Sequence, residues 1–165
     1  MEFPTLQIDT RQQEAKHSAK HEYFASLGIH CVRTKLYVGD YMFVGGVRAV
    51  DTKRDLQELA ADIDRDHERF RRELVNAKEA GIALTVLVEN ADGVRDLDGL
   101  AEWIEPAASF AKRRHAKRRI DGLRLAKACM TMADRYGVEW AFCAPEEAGA
   151  MVIGILTGGA GHERV

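Results

Sequence analysis

The sequence predicts an α/β layered fold, a central mixed β-sheet flanked by helices. Three observations carry that expectation. Short β-branched and aliphatic segments alternate along the chain with stretches of helical period. A continuous apolar run, LTVLVE at 84–89, has the character of a strand buried on both faces. The Gly45-Gly46 pair separates two strand-like segments and is a strong hairpin signal.

The elements follow in order. TLQID at 5–9 reads as a short buried strand, and HSAKHEYFASL at 17–27 as a helix ended by Gly28. Residues 29–36 (IHCVRTKL) read as a second strand. After a turn at Gly39-Asp40, residues 41–44 and 47–53 form the two arms of the hairpin. Residues 55–80 give the clearest helix, with Leu56, Leu59, Ile63, Phe70, Leu74 and Ala77 on one stripe and Asp55 as N-cap. One straight helix of that length would run roughly 39 Å, so a break near 64–66 is expected. Gly81 stops it before the buried strand. Residues 97–104 read as a short helix stopped by Pro106. Residues 122–136 read as a helix with Leu123, Ala126, Met130 and Ala133 on one side. A last strand at 139–144 and a last helix at 146–156 precede a Gly-rich end. One domain over 1–158 is expected, with a flexible tail at 159–165.

Composition narrows the function classes. The 165 residues are 46% hydrophobic and 30% charged, a globular profile that argues against disorder. At this length roughly 70% of the unfolded surface can be buried. No apolar run approaches the ~20 residues of a membrane span, and MEFPTLQIDTRQQ has no signal-peptide character. A cytoplasmic protein is expected. Cys31, Cys129 and Cys143 lie far apart and read as reduced, small hydrophobes rather than as a disulfide or zinc framework. The formal net charge of −2 conceals a local concentration, because residues 112–127 hold eight basic residues and one acid.

The chemistry-bearing constellation is Gly39-Asp40, then ten residues, then Asp51-Thr52-Lys53. A tight Gly-Gly turn folds the two arms together and brings Asp40 near Asp51. Asp51 and Lys53, two apart in a strand, share a face. Two carboxylates and an amine on one patch suit a hard divalent ion. Mg²⁺ takes one or two carboxylates, with water and substrate phosphate completing its shell. Such an ion polarises a phosphodiester and acidifies bound water. Lys53 is then expected to orient or help deprotonate that water and to stabilise developing charge. Asp9, ending the first strand, is a further candidate acid, and Arg11 a candidate phosphate ligand. The plainer alternative is a solvated polar strand end.

With these residues in view, the chain resembles the nuclease domain of XPF-type structure-specific endonucleases, a branch of the PD-(D/E)xK superfamily. It is similar in particular to small stand-alone members from phages and prophages. The segments that carry the resemblance are IDTRQQ at 8–13, RTKLYVGDY at 33–41, AVDTKRDLQEL at 49–59, DHERFRRELVNAKEAGI at 66–82, LTVLVEN at 84–90 and LRLAKACMTMADRYGVEWAFCAPEEAG at 123–149. The resemblance implies a restriction-endonuclease-like core and a Mg²⁺- or Mn²⁺-dependent endonuclease acting on branched or flapped DNA. The catalytic set becomes Asp9, Asp40, Asp51 and Lys53, with Asp40 and Asp51 as metal ligands. The family's GD motif falls on Gly39-Asp40, its acid-Arg-Lys triplet on Asp51-Thr52-Lys53, and its Asp-x-Arg-Glu motif on Asp9-Thr10-Arg11-Gln12.

Three positions depart from the pattern. Thr52 stands for an Arg, Gln12 for an acid, and Gln57 for an acid four residues after the Lys. They motivate an alternative reading, a non-catalytic DNA-binding or scaffold domain with the nuclease fold. A nuclease acting on RNA is a third. Larger family members dimerise and carry a helix-hairpin-helix module; a homodimer is expected, and no such module is visible in this sequence. The setting implied is a bacterial cytosol or that of a phage-infected host.

The remaining candidates are weaker. Arg11, Gln57, Arg113, Arg114, Lys117 and Arg118 are candidate DNA contacts, the last four from the basic run 112–119. Arg69, Arg71 and Arg72 read as an exposed salt-bridge face with Glu68 and Glu73. His67 reads as a partly buried structural residue. His17 and His21, four apart, lack the HExxH order of a zinc helix. Trp103 and Trp140 read as core or interface residues. The absence of a Walker A loop and of GxGxxG after the first strand argues against a nucleotide cofactor.

Overall fold

The structure, a computed structural model, describes residues 2–159. Its strands are β1 (Leu6–Asp9), β2 (Cys31–Thr34), β3 (Tyr41–Phe43), β4 (Arg48–Lys53), β5 (Ala83–Glu89) and β6 (Glu139–Cys143). They form one six-stranded mixed sheet in the order β2-β1-β3-β4-β5-β6. β1 runs parallel to β2 and antiparallel to β3. β3 and β4 are the expected hairpin, and β4, β5 and β6 are mutually parallel. The helices are α1 (Ser18–Ser26), α2 (Leu56–Asp64), α3 (His67–Ala80), α4 (Leu97–Glu102), α5 (Ala107–Lys112), α6 (Gly122–Tyr136) and α7 (Ala148–Thr157).

Helices cover both faces of the sheet, so its central strands are apolar on both sides. On one face, Leu56 and Leu59 of α2, Phe70 and Leu74 of α3, Leu100 of α4 and Leu125 of α6 pack with Val86 and Val88. On the other, Phe24 of α1 and Val152 and Leu156 of α7 pack with Ile8, Val50 and Leu87. Full burial of one such side chain contributes about 1.5–3 kcal/mol. The β3–β4 turn needs Gly45, whose φ is 74°, and is closed by Gly46 N donating to Phe43 O at 2.9 Å. Asp55 caps α2 by accepting from Glu58 N at 2.8 Å.

Several expectations are refined. The long helix at 55–80 divides at Arg65-Asp66, where both backbone N–H groups donate to Ala61 O and end α2. β2 is only four residues long, and α1 is entered through a 3-10 turn at Glu14–His17. α5 lies just before the basic run, in a stretch for which the sequence reading gives no element. The face of α6 differs from the expected one. Leu125, Ala126, Cys129 and Met132 are buried, whereas Leu123 and Met130 are 50% and 54% exposed. Two apolar stripes compete on that helix, and packing against α4 and β6 selects one. His67 is exposed rather than partly buried. Cys129 and Cys143 are buried as expected, and Cys31 is half-buried. The tail expected at 159–165 lies, apart from Gly159, outside the described residues. Among the described residues, no helix is long and apolar enough to cross a membrane.

Candidate active site

The site begins with register. Tyr41 pairs with Val50 and Met42 with Ala49 across the hairpin, and Asp40 and Asp51 are the residues next beyond the last of these pairs. Asp40 N donates to Val50 O at 2.8 Å and extends the ladder by one bond. Gly39 makes this approach possible. Its φ is 75°, and a Cβ there would stand 3.0 Å from Val50 O. The Gly-Asp pair therefore has a mechanical reason: glycine turns the chain so that the acid closes on β4.

Thr52 answers for one departure from the family pattern. Its N–H and its hydroxyl each donate to Asp40 Oδ2 at 2.8 Å. It fixes the neighbouring acid in place of bringing a cation. Asp9, 2% exposed at the end of β1, accepts from Arg11 Nε at 2.7 Å and from Leu36 N at 2.9 Å. Its own N–H donates to Asp40 O at 2.9 Å, which ties β1 to the hairpin at the site.

Lys53 is buried, and its ammonium lies between two acids, 2.7 Å from Asp51 Oδ2 and 2.6 Å from Asp62 Oδ2. It also sits 4.9 Å above the Phe70 ring. Burial works to lower the pKa of this amine. The charges of Asp51 and Asp62 and its bonds to both outweigh burial, and the net shift is upward. Lys53 is thus a fixed positive charge at neutral pH. In this ionised state it can stabilise negative charge that develops beside it. The buried Asp51 Oδ2 has no polar partner besides this ammonium.

Two acids escaped the sequence reading. Asp62 on α2 is 5% exposed, and Glu73 on α3 accepts from Gly39 N at 2.9 Å. Both sit at the edge of an apolar stripe. Asp62 is flanked by Leu59 and Ile63, and Glu73 by Phe70 and Leu74. An acid at that boundary was the available signal. Burial and then the charge of Asp51 raise the pKa of Asp40 to about 8, against the Thr52 bonds and Lys53. The same two causes, in the same order, push Glu73 upward. The patch holds more negative charge than its single buried lysine compensates.

These side chains line a cleft of about 480 Å³, shared with Arg11, Arg54, Arg69 and Arg72. Gln12, 8% exposed, also lines it, with neither amide atom hydrogen-bonded. His17 is there too. Burial, then the charges of Lys20 and His21, lower its pKa to about 4, so it is neutral at pH 7. Arg69 pairs with Asp62 and Asp66, not with Glu68 or Glu73 as expected.

The structure thus brings Asp9, Arg11, Asp40, Asp51 and Lys53 to one cleft. It does not bring Gln57, Arg113, Arg114, Lys117 or Arg118 there. In place of Gln57, Glu58 and Asp62 face the cleft from α2. Arg113 is turned onto Glu105, donating from Nε and from a terminal nitrogen at 2.8 and 2.7 Å.

The donor set can be tested for a divalent ion. Among the described residues, no group of three His, Cys, Asp or Glu side chains forms a closed metal cage. Mg²⁺ bound with a phosphate does not need one, since one or two carboxylates suffice. Asp40 and Asp51, close across the hairpin, with an oxygen of Asp51 held by the Lys53 ammonium alone and repulsion between the two acids, fit that requirement.

The fold and cleft together define an α/β core with a carboxylate-lined site at one end of a hairpin. Solved structures make the class more specific. The chain is similar to XPF from Aeropyrum pernix with a TM-score of 0.64 and 18% identity, over 96% of this chain and 66% of that one. This establishes an XPF-like fold for a chain that spans just under two thirds of that relative. No family model matches the sequence, and neither does any curated protein.

Proposed function

We propose that this chain is a divalent-metal-dependent endonuclease that hydrolyses DNA phosphodiesters, selective for branched, flapped or junction DNA. The observation that carries the reading is the closeness of Asp40 and Asp51 beside a lysine whose charge is locked on. Asp40 and Asp51 would hold Mg²⁺ or Mn²⁺. When bound, the ion supplies Lewis-acid polarisation of the phosphate and acidifies water. Lys53 holds positive charge where the phosphate becomes more negative in the transition state. Asp62 positions that ammonium. Asp9 holds Arg11 at the cleft, where the exposed guanidinium can bind a phosphate oxygen. Thr52 keeps Asp40 on the hairpin. Residues 1–158 act as one nuclease unit in this reading, in a phage- or prophage-like protein working in a bacterial cytosol, as a homodimer that sedimentation velocity would register.

Labelled flap, fork, four-way-junction and linear DNA, with a parallel RNA set, test the proposal in Mg²⁺, Mn²⁺ or EDTA. Metal-dependent cutting of branched DNA is expected. Asp51→Asn should lower it by about a hundred-fold or more, the scale on which one preorganised electrostatic group acts, with binding retained. Binding of branched DNA without cleavage under any metal would favour the scaffold reading. Cutting confined to the RNA set would reassign the substrate.

A further inference from the structure

A second feature lies outside the cleft. Between α4 and α6 the chain makes an excursion whose two ends, Ile104 and Asp121, form an isolated antiparallel bridge. The excursion between them carries α5 and the basic run. Residues 106–120 contain Lys112, Arg113, Arg114, Lys117, Arg118 and Arg119, and no acid. Such a loop would be expected to repel itself and fray.

A buried acid holds it instead. Glu105 is 1% exposed and accepts three hydrogen bonds, two from Arg113 and one from Ile120 N at 2.7 Å. Arg113 also donates to Arg118 O at 3.2 Å and lies over the Phe110 ring. One bidentate Glu–Arg pair thus ties both limbs and the far side of the loop to its base. Lys112, Arg114, Lys117, Arg118 and Arg119 are left exposed. The loop runs into α6, whose Arg124 grips both oxygens of Asp64 at 2.7 Å. Asp64 stands two residues beyond Asp62 on α2, so the loop is braced against a helix that lines the cleft.

We infer that the 105–120 loop is a phosphate-binding surface for a DNA duplex arm, and that Glu105 and Arg113 are its clamp rather than its contacts. The chemistry favours a duplex backbone over other polyanions. Guanidinium forks match phosphate oxygens. Between Lys112 and Arg119 there is no Phe, Tyr or Trp to stack an unpaired base, His115 is the one ring, and Phe110 is already covered by Arg113. The same stretch has no large apolar side chain to enter a lipid headgroup layer. Five exposed cations on a held loop suit a regular array of phosphates, read without regard to sequence. The inference rests on the nucleic-acid reading of the chain, but not on catalysis.

Its test is equilibrium binding of the full chain to a fluorescein-labelled linear duplex, by anisotropy in EDTA, over a series of salt concentrations. Every phosphate that a variant fails to neutralise should flatten the log–log salt slope by about 0.9. Arg114→Ala/Lys117→Ala/Arg118→Ala should therefore flatten it by about 2–3 and weaken binding by about ten-fold or more at 100 mM salt. Glu105→Gln separates clamp from charge, with its folding followed by circular dichroism. It makes the region more positive, so a charge-count account expects tighter binding. Our account expects binding at least about three-fold weaker, because the loop loses its hold. Wild-type-like affinity and slope in the triple variant would overturn the proposal. So would failure of the wild type to bind duplex, or binding to phosphatidylserine vesicles in its place. A chain that binds duplex through this loop but never cuts would defeat the endonuclease reading and leave this one standing.

Discussion

Two buried lysines set the functional region apart from the structural one. Lys20 on α1 meets Glu89 at the end of β5 at 2.6 Å, and both side chains are almost fully enclosed. One cation faces one anion, and the pair is closed. Lys53 is equally enclosed, yet it faces Asp51 and Asp62, with Asp40 and Glu73 in the same patch. The first arrangement is electrically complete and lies in the protein interior. The second crowds several buried acids around one buried lysine, at the wall of an open cleft whose outer lining carries Arg11, Arg54, Arg69 and Arg72. Burial makes such crowding costly, and the raised pKa of Asp40 expresses that cost. The contrast fits the divalent ion proposed for this cleft, since crowded buried acids gain from a cation placed between them.

The largest effect should come from breaking the closed pair. Lys20→Met leaves Glu89 buried without a partner and should cost about 3–5 kcal/mol in urea unfolding. Adding Glu89→Leu should recover much of that loss. Divalent metal should change neither result. Lys53→Met should also destabilise, but millimolar Mn²⁺ should restore part of the loss. If metal rescues both lysine variants equally, the distinction between the two sites collapses.

Next in size is the response of the unaltered chain to metal. An ion that binds the folded state alone adds about 2.7 kcal/mol at a hundred-fold excess over its Kd. Tm should rise with Mn²⁺ and return to its starting value in EDTA. Asp40→Asn and Asp51→Asn should each abolish the rise.

Gly39→Ala should cost about 1–2 kcal/mol from its left-handed backbone, with further loss from the clash against Val50 O. It should also blunt the metal response, since it displaces Asp40. Thermal unfolding with and without Mn²⁺ reads both effects.

A further effect is on pH. The carboxyl of Asp40 has a folded pKa of about 8, above its ordinary value of 3.8. The folded state therefore holds the proton more tightly than the unfolded one. The stability this gives is complete below pH 3.8 and is lost as pH rises toward 8, without metal. Asp40→Asn should flatten that decline, and Mn²⁺ should bind more tightly as pH rises because it competes with the proton. Denaturation curves at several pH values in EDTA would show a missing decline at once.

Much of this was legible in the sequence because it depends on local rules. The Gly-Gly turn fixed the hairpin, and the hairpin brought Asp40 close to Asp51. The apolar stripe from Leu56 to Ala77 identified the helices behind the site, and Asp55 marked where they start. What was hidden depends on packing between distant segments. Asp62 and Glu73 look like ordinary helix-surface acids until α2 and α3 dock on the sheet and carry them to the rim of the core. Arg113 looks like one cation among six until Glu105 is buried beneath it. The exposed stripe on α6 was hidden for the same reason, since periodicity locates a face without saying which of two faces finds a partner.

The most direct measurement is an anomalous difference map from a crystal of the wild-type chain soaked in Mn²⁺ at pH 8. The account predicts one peak in the cleft, about 2.0–2.6 Å from an oxygen of Asp40 and from an oxygen of Asp51, and its loss in Asp51→Asn. A cleft without a peak, or a peak bound away from both aspartates, would contradict it.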